Sequence, residues 1–172
     1  MNRAHKKKTT SKKTPDGLSS ATQGPDVTRD GEQQRYIRQH LLIGWGALLL
    51  FIILGAVLES LHGFKVSWYD NVGMETRRLT WRLAHAHGTF LAVINLTFAL
   101  TLYLMGESAQ GAWRRIASAC LLGATIALPG GFFLGGVTIY GGDPGLGIFL
   151  SPVGVLLLFI AVSLTTYRLL RI

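Results

Sequence analysis

The sequence contains a single cysteine, Cys120, among its 172 residues. One thiol excludes an intramolecular disulfide framework and a zinc site built from cysteines. The chain also has neither a Gly-x-Ser-x-Gly motif nor a His-Glu-x-x-His motif, so hydrolytic chemistry of those kinds is not expected. We interpret Cys120, which lies in an apolar stretch, as a small buried hydrophobic residue.

Charged residues are missing from four long stretches of the chain. Residues 1–40 hold nine of the 17 Lys and Arg, whereas residues 41–58, 83–105, 116–140 and 146–167 contain no Asp, Glu, Lys or Arg. A helix rises ~1.5 Å per residue and the hydrocarbon core of a bilayer is ~30 Å thick, so each stretch can cross a membrane as a helix. This pattern excludes a soluble globular domain.

These four stretches predict the fold. Backbone polar groups find no partners in lipid, so the spans are expected to be helices rather than strands. We predict an all-α membrane protein in which residues 36–172 form a bundle of four transmembrane helices with a long loop at residues 59–82. Residues 1–35 have almost no large apolar residue, which predicts a disordered basic tail, with a short interfacial helix from Glu32 leading into the first span.

Basic residues near the ends of the spans predict the orientation. With the N-terminus inside, seven basic residues flank the spans on the cytoplasmic side: Arg29, Arg35, Arg38, Arg114, Arg115, Arg168 and Arg171. Four lie in the outer loop: Lys65, Arg77, Arg78 and Arg82. We therefore predict that both termini are cytoplasmic.

The tail carries a second concentration of positive charge. Its basic residues are Arg3, Lys6, Lys7, Lys8, Lys12 and Lys13. Anionic lipid headgroups are a partner that such a stretch can bind. No aromatic residue interleaves it to stack on bases, so nucleic acid is not the expected partner. A solvated tail that helps to fix the topology is the simpler interpretation.

Small residues in the last two spans indicate close helix packing. Gly147, Gly154 and Ala161 recur every seven residues, and Gly131 and Gly135 form a small-xxx-small pattern. We expect these five residues to let two backbones approach closely.

A proline lies inside the third span, at Pro129. It removes one helical hydrogen bond and predicts a kink. Deep in the second span, Asn95 must find a polar partner, and we expect a hydrogen bond to another helix. A polar pathway past Asn95 and the kink would serve a small-solute transporter, which is one hypothesis; passive bundles also contain such kinks.

The outer loop and the start of the second span hold most of the remaining polar chemistry. Arg78, Arg82, His85 and Thr89 follow spacings of four, three and four, which place them on one cationic stripe of a helix. The arginines of such a stripe commonly extend to headgroups. His85 and His87 are two positions apart, so on a helix they point ~200° apart and cannot easily hold one ion together.

A metal or haem site is the competing hypothesis for the histidines. Glu59 and His62 are three residues apart and share one helix face, like one arm of a di-metal bundle, but the sequence has no second arm. A mononuclear site could combine Glu59 with His62, His85 or His87, since imidazole suits zinc, copper and iron. A haem held between histidines of facing helices is the other form of this hypothesis. The simpler interpretation is that the histidines pack helices or contact a partner.

The chain resembles uncharacterised bacterial four-helix inner-membrane proteins. The resemblance lies in the segment from Glu59 to Gly88, which ends in the sequence Arg-Leu-Ala-His-Ala-His-Gly, and in the spans. The resemblance covers the spans and the outer loop but not the tail. It implies a location in the bacterial inner membrane and no particular reaction. The function we predict is an accessory or interaction subunit that works through its outer loop and the start of the second helix, with a membrane-protein partner or a second copy of the chain.

Overall fold

A computed structural model describes residues 25–70 and 72–171 of the chain, and these are mostly helical. Its α-helices are α1 (Pro25–Gly63), α2 (Ser67–Asp70), α3 (Glu75–Met105), α4 (Ala112–Val137) and α5 (Leu150–Leu169). Short 3-10 turns occupy Val72–Met74, Gly106–Ala109 and Leu146–Phe149. The basic stretch of residues 3–13 lies outside the described residues, and so does its predicted contact with anionic lipid.

The four predicted spans are confirmed as helices that are long and apolar enough to cross a membrane. They cover Gly31–Gly63, Glu75–Ala109, Ala112–Val137 and Leu146–Leu169. The structure is therefore compatible with a multi-pass membrane protein. The first two of these segments extend beyond the uncharged stretches at both ends, because a helix that has nucleated gains one hydrogen bond for each further residue.

The start of α1 differs from the prediction. The sequence predicts a helix only from Glu32, whereas α1 begins at Pro25. Proline is well tolerated in the first helical turn, where its missing N–H would have no partner anyway.

A short hairpin joins α4 to α5. The predicted third span reached residue 140, but α4 ends at Val137, and Ile139–Tyr140 pairs with Asp143–Pro144 as two antiparallel strands. The turn between these strands is Gly141-Gly142, with φ of 59° and 98°. Both angles are positive, as a tight hairpin turn requires, and glycine adopts them without steric cost. At this end of the helices, the backbone N–H and C=O groups along the outer edges of the hairpin can bind water.

Helices α3 and α4 form the centre of the fold. Helix α1 packs against α3, α3 packs against α4, and α5 packs against α4. The side chains of the buried core come from all four long helices and include Ile37, Leu91, Phe98, Leu102, Leu121, Leu128 and Ala161.

Small residues bring α4 close to α5 and to the 3-10 turn that precedes it. A Cβ added at Gly154 would lie 2.7 Å from the Cα of Leu128, and one added at Gly135 would lie 3.1 Å from the Cβ of Ile148. Gly131 packs against Ser151, and Gly147 packs against Leu134. Ala161 is buried in the core. These are the five small residues predicted to allow a close approach, and a larger side chain at any of the four glycines would displace a neighbour. Helix α4 continues through Pro129 to Val137.

Candidate functional site

The loop end of the bundle is the end at which residues 59–82 connect α1 to α3. Arg77 holds this end together. Its Nε donates to the Gly136 carbonyl at 3.0 Å and its Nη2 to the Val137 carbonyl at 3.4 Å, while Nη1 donates to the Trp68 carbonyl at 3.1 Å. The last carbonyls of a helix lack intrahelical partners. Arg77 therefore caps the C-terminus of α4 and ties it to α2.

An aromatic cluster lies beside Arg77. It consists of Trp68, Tyr69, Trp81 and Phe133, and the Trp81 and Phe133 rings stack with their centroids 5.2 Å apart. Trp81 also donates its indole N–H to the Phe133 carbonyl at 3.0 Å, and Tyr69 is fully buried. Stacked rings and hydrogen-bonded indoles restrict motion, so α2 is fixed against α3 and α4.

Asp70 links three elements at the loop end. Its Oδ1 accepts a hydrogen bond from Arg78 Nη1 at 2.7 Å, and it lies 3.1 Å from Nδ1 of His62 at the end of α1. The Arg78 hydrogen bond holds the pKa of the Asp70 carboxyl below its ordinary value; desolvation opposes this, and the contact with His62 adds a smaller lowering effect. Arg78, assigned from the sequence to a cationic stripe, is thus an ion-pair partner of Asp70.

His85 faces α1. Its Nδ1 is 2.7 Å from the Phe51 carbonyl. A carbonyl oxygen only accepts, so Nδ1 carries the proton, and in the neutral ring Nε2 holds a free lone pair. Gly55 makes room for the ring, because a Cβ at that position would lie 2.8 Å from Nδ1 and 3.0 Å from Nε2.

A polar groove of about 370 Å³ opens beside His85. Glu59 of α1 and Arg82 of α3 line it, together with apolar residues of α1. Both charged side chains are exposed, and within residues 31–70 and 73–171 neither forms an ion pair. The structure therefore brings three of the predicted residues, Glu59, Arg82 and His85, to one groove.

His87 and His62 lie elsewhere. His87 donates from Nδ1 to the Leu83 carbonyl of its own helix at 2.8 Å, and its ring centroid is 5.0 Å from that of Phe132 in α4. His85 and His87 thus contact different helices, as their spacing predicts. Nowhere in the described parts of the chain do three or more His, Cys, Asp or Glu side chains form a group that could hold a metal ion. His62 lies against Asp70, His85 against the Phe51 carbonyl and His87 against Phe132, so the three histidines contact different neighbours.

A second polar cluster lies inside the bundle. Asn95 is fully buried, and its side chain bonds to α1 through His40 at 2.7 Å and to α4 through Thr125 at 2.8 Å. The interhelical hydrogen bond expected of Asn95 is present. His40 also lies 2.7 Å from the Ser118 hydroxyl. A hydrated solute path past Asn95 would have to break these bonds.

His40 and Arg77 are two structural residues that the sequence did not reveal. His40 directly precedes the first uncharged stretch, at the end of a span where polar residues are common. The signal that could have found it was Asn95, which needs a partner in another helix. Arg77 was counted among the loop charges, although its spacing of four from Trp81 places both on one helix face.

The opposite end of the bundle holds a buried arginine. The Arg114 side chain is only 3% exposed, and its Nη2 lies 3.2 Å from Glu32 Oε1. Its guanidinium also lies 4.6 Å from the centre of the Tyr36 ring. Gln33 donates to the Leu102 carbonyl at 3.0 Å. The polar start of α1 is therefore anchored to α3 and α4.

Comparison of the chain with protein-family models, with curated proteins and with solved structures gives no match.

Proposed function

We propose that the chain is a small multi-pass protein of the bacterial plasma membrane that acts as an accessory or interaction subunit. The interaction surface is the groove lined by Glu59, Arg82 and His85, with the adjoining loop of residues 59–82. The partner is another membrane protein or a second copy of this chain. Both termini lie in the cytoplasm, which places the groove at the outer face.

One observation supports this proposal above the others. The loop end is held in place by Arg77, Asp70 and the aromatic cluster, whereas Glu59 and Arg82 next to them are exposed and form no ion pair in the described parts of the chain. Charged groups near a bilayer are costly unless water or a partner satisfies them. A fixed surface with unpaired charges of both signs is suited to a complementary partner.

Site-specific photo-crosslinking in intact membranes tests the proposal. A photoreactive amino acid at Arg82 is expected to give a discrete protein adduct, whose mass identifies either a different protein or a second copy. The matched control is the same group at Leu104, an exposed position near the other end of α3, which is expected to give no discrete adduct. Absence of any adduct from Arg82, or equal adducts from both sites, would contradict the proposal.

The orientation has its own test. In a chain with Cys120 replaced by alanine, cysteines at Lys65 and Arg171 are expected to react with a membrane-impermeant thiol reagent from opposite sides of the membrane. Both positions are exposed. Labelling of both from one side would overturn the topology.

The second candidate is a haem- or metal-binding redox or assembly factor that uses His85. It is favoured by the hydrogen bond from Nδ1 to the Phe51 carbonyl, since metal-ligating histidines commonly donate their other ring N–H to such an acceptor. Nε2 is then the ligating atom, and Glu59 lines the same groove.

Spectroscopy and metal analysis of the purified protein separate the two candidates. The second predicts a haem absorption band or a stoichiometric metal that is lost in His85→Ala and kept in His87→Ala, whose histidine bonds within its own helix. A colourless, metal-free protein would reject this candidate and leave the interaction subunit.

A further inference from the structure

An apolar groove runs between α1 and α4 on a different side of α1 from the groove at Glu59. Its volume is about 580 Å³, it is open on one side, and nearly all of its lining atoms are apolar. Its walls include Leu42, Gly46, Leu50, Ile126, Gly130 and Phe133. The groove exists because α1 packs mainly against α3, which leaves a gap to α4.

Two glycines keep this groove open. A Cβ added at Gly46 or at Gly130 would meet no atom within 4 Å. Their neighbours Gly44 and Gly131 differ, because a Cβ at Gly44 would lie 2.6 Å from Leu96 and one at Gly131 would lie 2.5 Å from the backbone of Ser151. Gly44 and Gly131 therefore serve helix packing, whereas Gly46 and Gly130 border empty space.

At the end of the bundle opposite the loop end, the groove adjoins a depression that contains the positively charged Arg38. This depression of about 500 Å³ shares Leu42 and Gly46 with the groove and is lined by Arg38 and Trp45. Arg38 is exposed and forms no ion pair in the parts of the chain with described side chains. Trp45 is 63% exposed, and an indole near a bilayer surface commonly lies at the headgroup level.

The dimensions of the groove select its occupant. From Leu42 to Leu54, both in its lining, α1 rises ~18 Å, which slightly exceeds the ~15 Å of hydrocarbon in one leaflet. An apolar groove of this length accommodates one acyl chain of a single leaflet.

We propose that an anionic phospholipid binds here, with its phosphate at Arg38 and one acyl chain in the groove between α1 and α4. The site holds a specific lipid between two helices that do not pack closely against each other. It is separate from the groove at Glu59 and does not depend on the function proposed above.

Native mass spectrometry of the protein released from bilayers of equal phosphatidylglycerol and phosphatidylcholine tests the tail contact. The wild-type chain is expected to retain one phosphatidylglycerol. Gly46→Leu and Gly130→Leu, which fill the groove, are expected to lose it. Ser163→Leu, at an exposed position of α5 outside the groove lining, is the matched control and is expected to keep it.

A second pair of variants tests the headgroup contact. Arg38→Gln is expected to lower the preference for phosphatidylglycerol over phosphatidylcholine about fivefold, equivalent to ~1 kcal/mol, while the acyl chain still binds. Arg171→Gln, whose guanidinium packs on Tyr167, is expected to leave the preference unchanged.

Several outcomes would overturn the proposal. Equal retention of both lipids by the wild-type chain would indicate unselective surrounding lipid. Unchanged retention in Gly46→Leu and Gly130→Leu would place the lipid elsewhere, and a dimer that dissociates in these variants would make a helix of a second copy the occupant. Because a Cβ at either position meets open space, failure of both variants to fold would also contradict the open groove.

Discussion

His40 Nδ1 lies 2.7 Å from Asn95 Oδ1 in the middle of the helix bundle, where both side chains are fully buried. Asn95 donates from its amide nitrogen to the Leu91 carbonyl and to Thr125, so its oxygen is the acceptor for His40. In a neutral ring, Nε2 then accepts from the Ser118 hydroxyl. One histidine thus connects α1 to both α3 and α4, and each of its nitrogens has a partner.

Replacement of His40 by leucine is expected to destabilise the bundle by about 1–3 kcal/mol. The variant leaves the Asn95 oxygen and the Ser118 hydroxyl without their buried partner, and an unsatisfied buried group costs its full desolvation energy. Helix α1 would lose the polar contacts that His40 makes with α3 and α4. The measurement is the free energy of unfolding in detergent.

A control variant and a double-mutant cycle test whether the loss of stability comes from the His40 hydrogen bonds. His87→Leu is the control, because within the described residues His87 forms its hydrogen bond to a carbonyl of its own helix, and it is expected to cost less. A double-mutant cycle of His40→Leu with Ser118→Ala is expected to give a coupling energy of about 0.6 kcal/mol. A His40 variant as stable as the wild-type chain would show that the network does not hold α1.

The sequence predicted the four spans because a long run of residues without charges can be identified without knowing which helices are neighbours. It also predicted the polar requirement of Asn95 and the small residues between α4 and α5. It could not identify His40 as the partner of Asn95, since 55 residues separate them and pairing depends on which helices are neighbours. The same limit applies to Arg77, whose acceptors lie at the end of α4.

The adjacent glycines of α4 are expected to respond differently to the same substitution. Gly131→Ala places a methyl group against Ser151 and is expected to destabilise the contact between α4 and α5 by about 1–3 kcal/mol. Gly130→Ala enters open space and is expected to be neutral or slightly stabilising, because alanine favours helix more than glycine does. Thermal unfolding of both variants in one detergent measures the difference. Equal effects would show that α5 does not pack at Gly131.

Arg77→Lys is expected to loosen the loop end although the charge is kept. Lysine has a single ammonium group and cannot donate to the Gly136, Val137 and Trp68 carbonyls in the forked geometry of a guanidinium. The expected loss of stability is about 1–3 kcal/mol, together with a red shift of tryptophan fluorescence as the cluster around Trp81 becomes hydrated. Arg82→Gln is the control, because Arg82 forms no ion pair in the described parts of the chain. If the two variants behaved alike, Arg77 would not be the residue that clamps α4.

The candidate groove shows a further limit of sequence analysis. The helical spacing predicted that His85 and His87 point to different sides, and they contact α1 and α4 respectively. His62 lies in α1, three residues after Glu59, and its Nδ1 lies 3.1 Å from Asp70, a contact that the spacing does not predict. Loop geometry follows from contacts such as those of Asp70 and Arg77, which residue spacing does not reveal.

Acidification is expected to release the contacts of Asp70. The pKa of this carboxyl in the folded chain lies below its ordinary value of 3.8, mainly because Arg78 donates a hydrogen bond to the carboxylate. A lowered pKa means that the folded state favours the charged form, so this stabilisation is complete above pH 3.8 and is lost as the pH falls through the folded-state pKa. The expected result is a loop end that is ordered at neutral pH and becomes accessible only below about pH 4. Acrylamide quenching of tryptophan fluorescence, followed from pH 7 downward, measures this change.

The variant Asp70→Asn separates this carboxylate from other acidic groups. Its uncharged amide cannot form the ion pair with Arg78, so the loop end is expected to be more accessible at neutral pH and to lose the acid transition. Glu75→Gln, which removes a nearby exposed carboxylate that forms no ion pair in the described residues, is expected to retain the transition. An acid transition that persisted unchanged in Asp70→Asn would assign it to another group, and the link from α1 through Asp70 to Arg78 would not be what orders the loop.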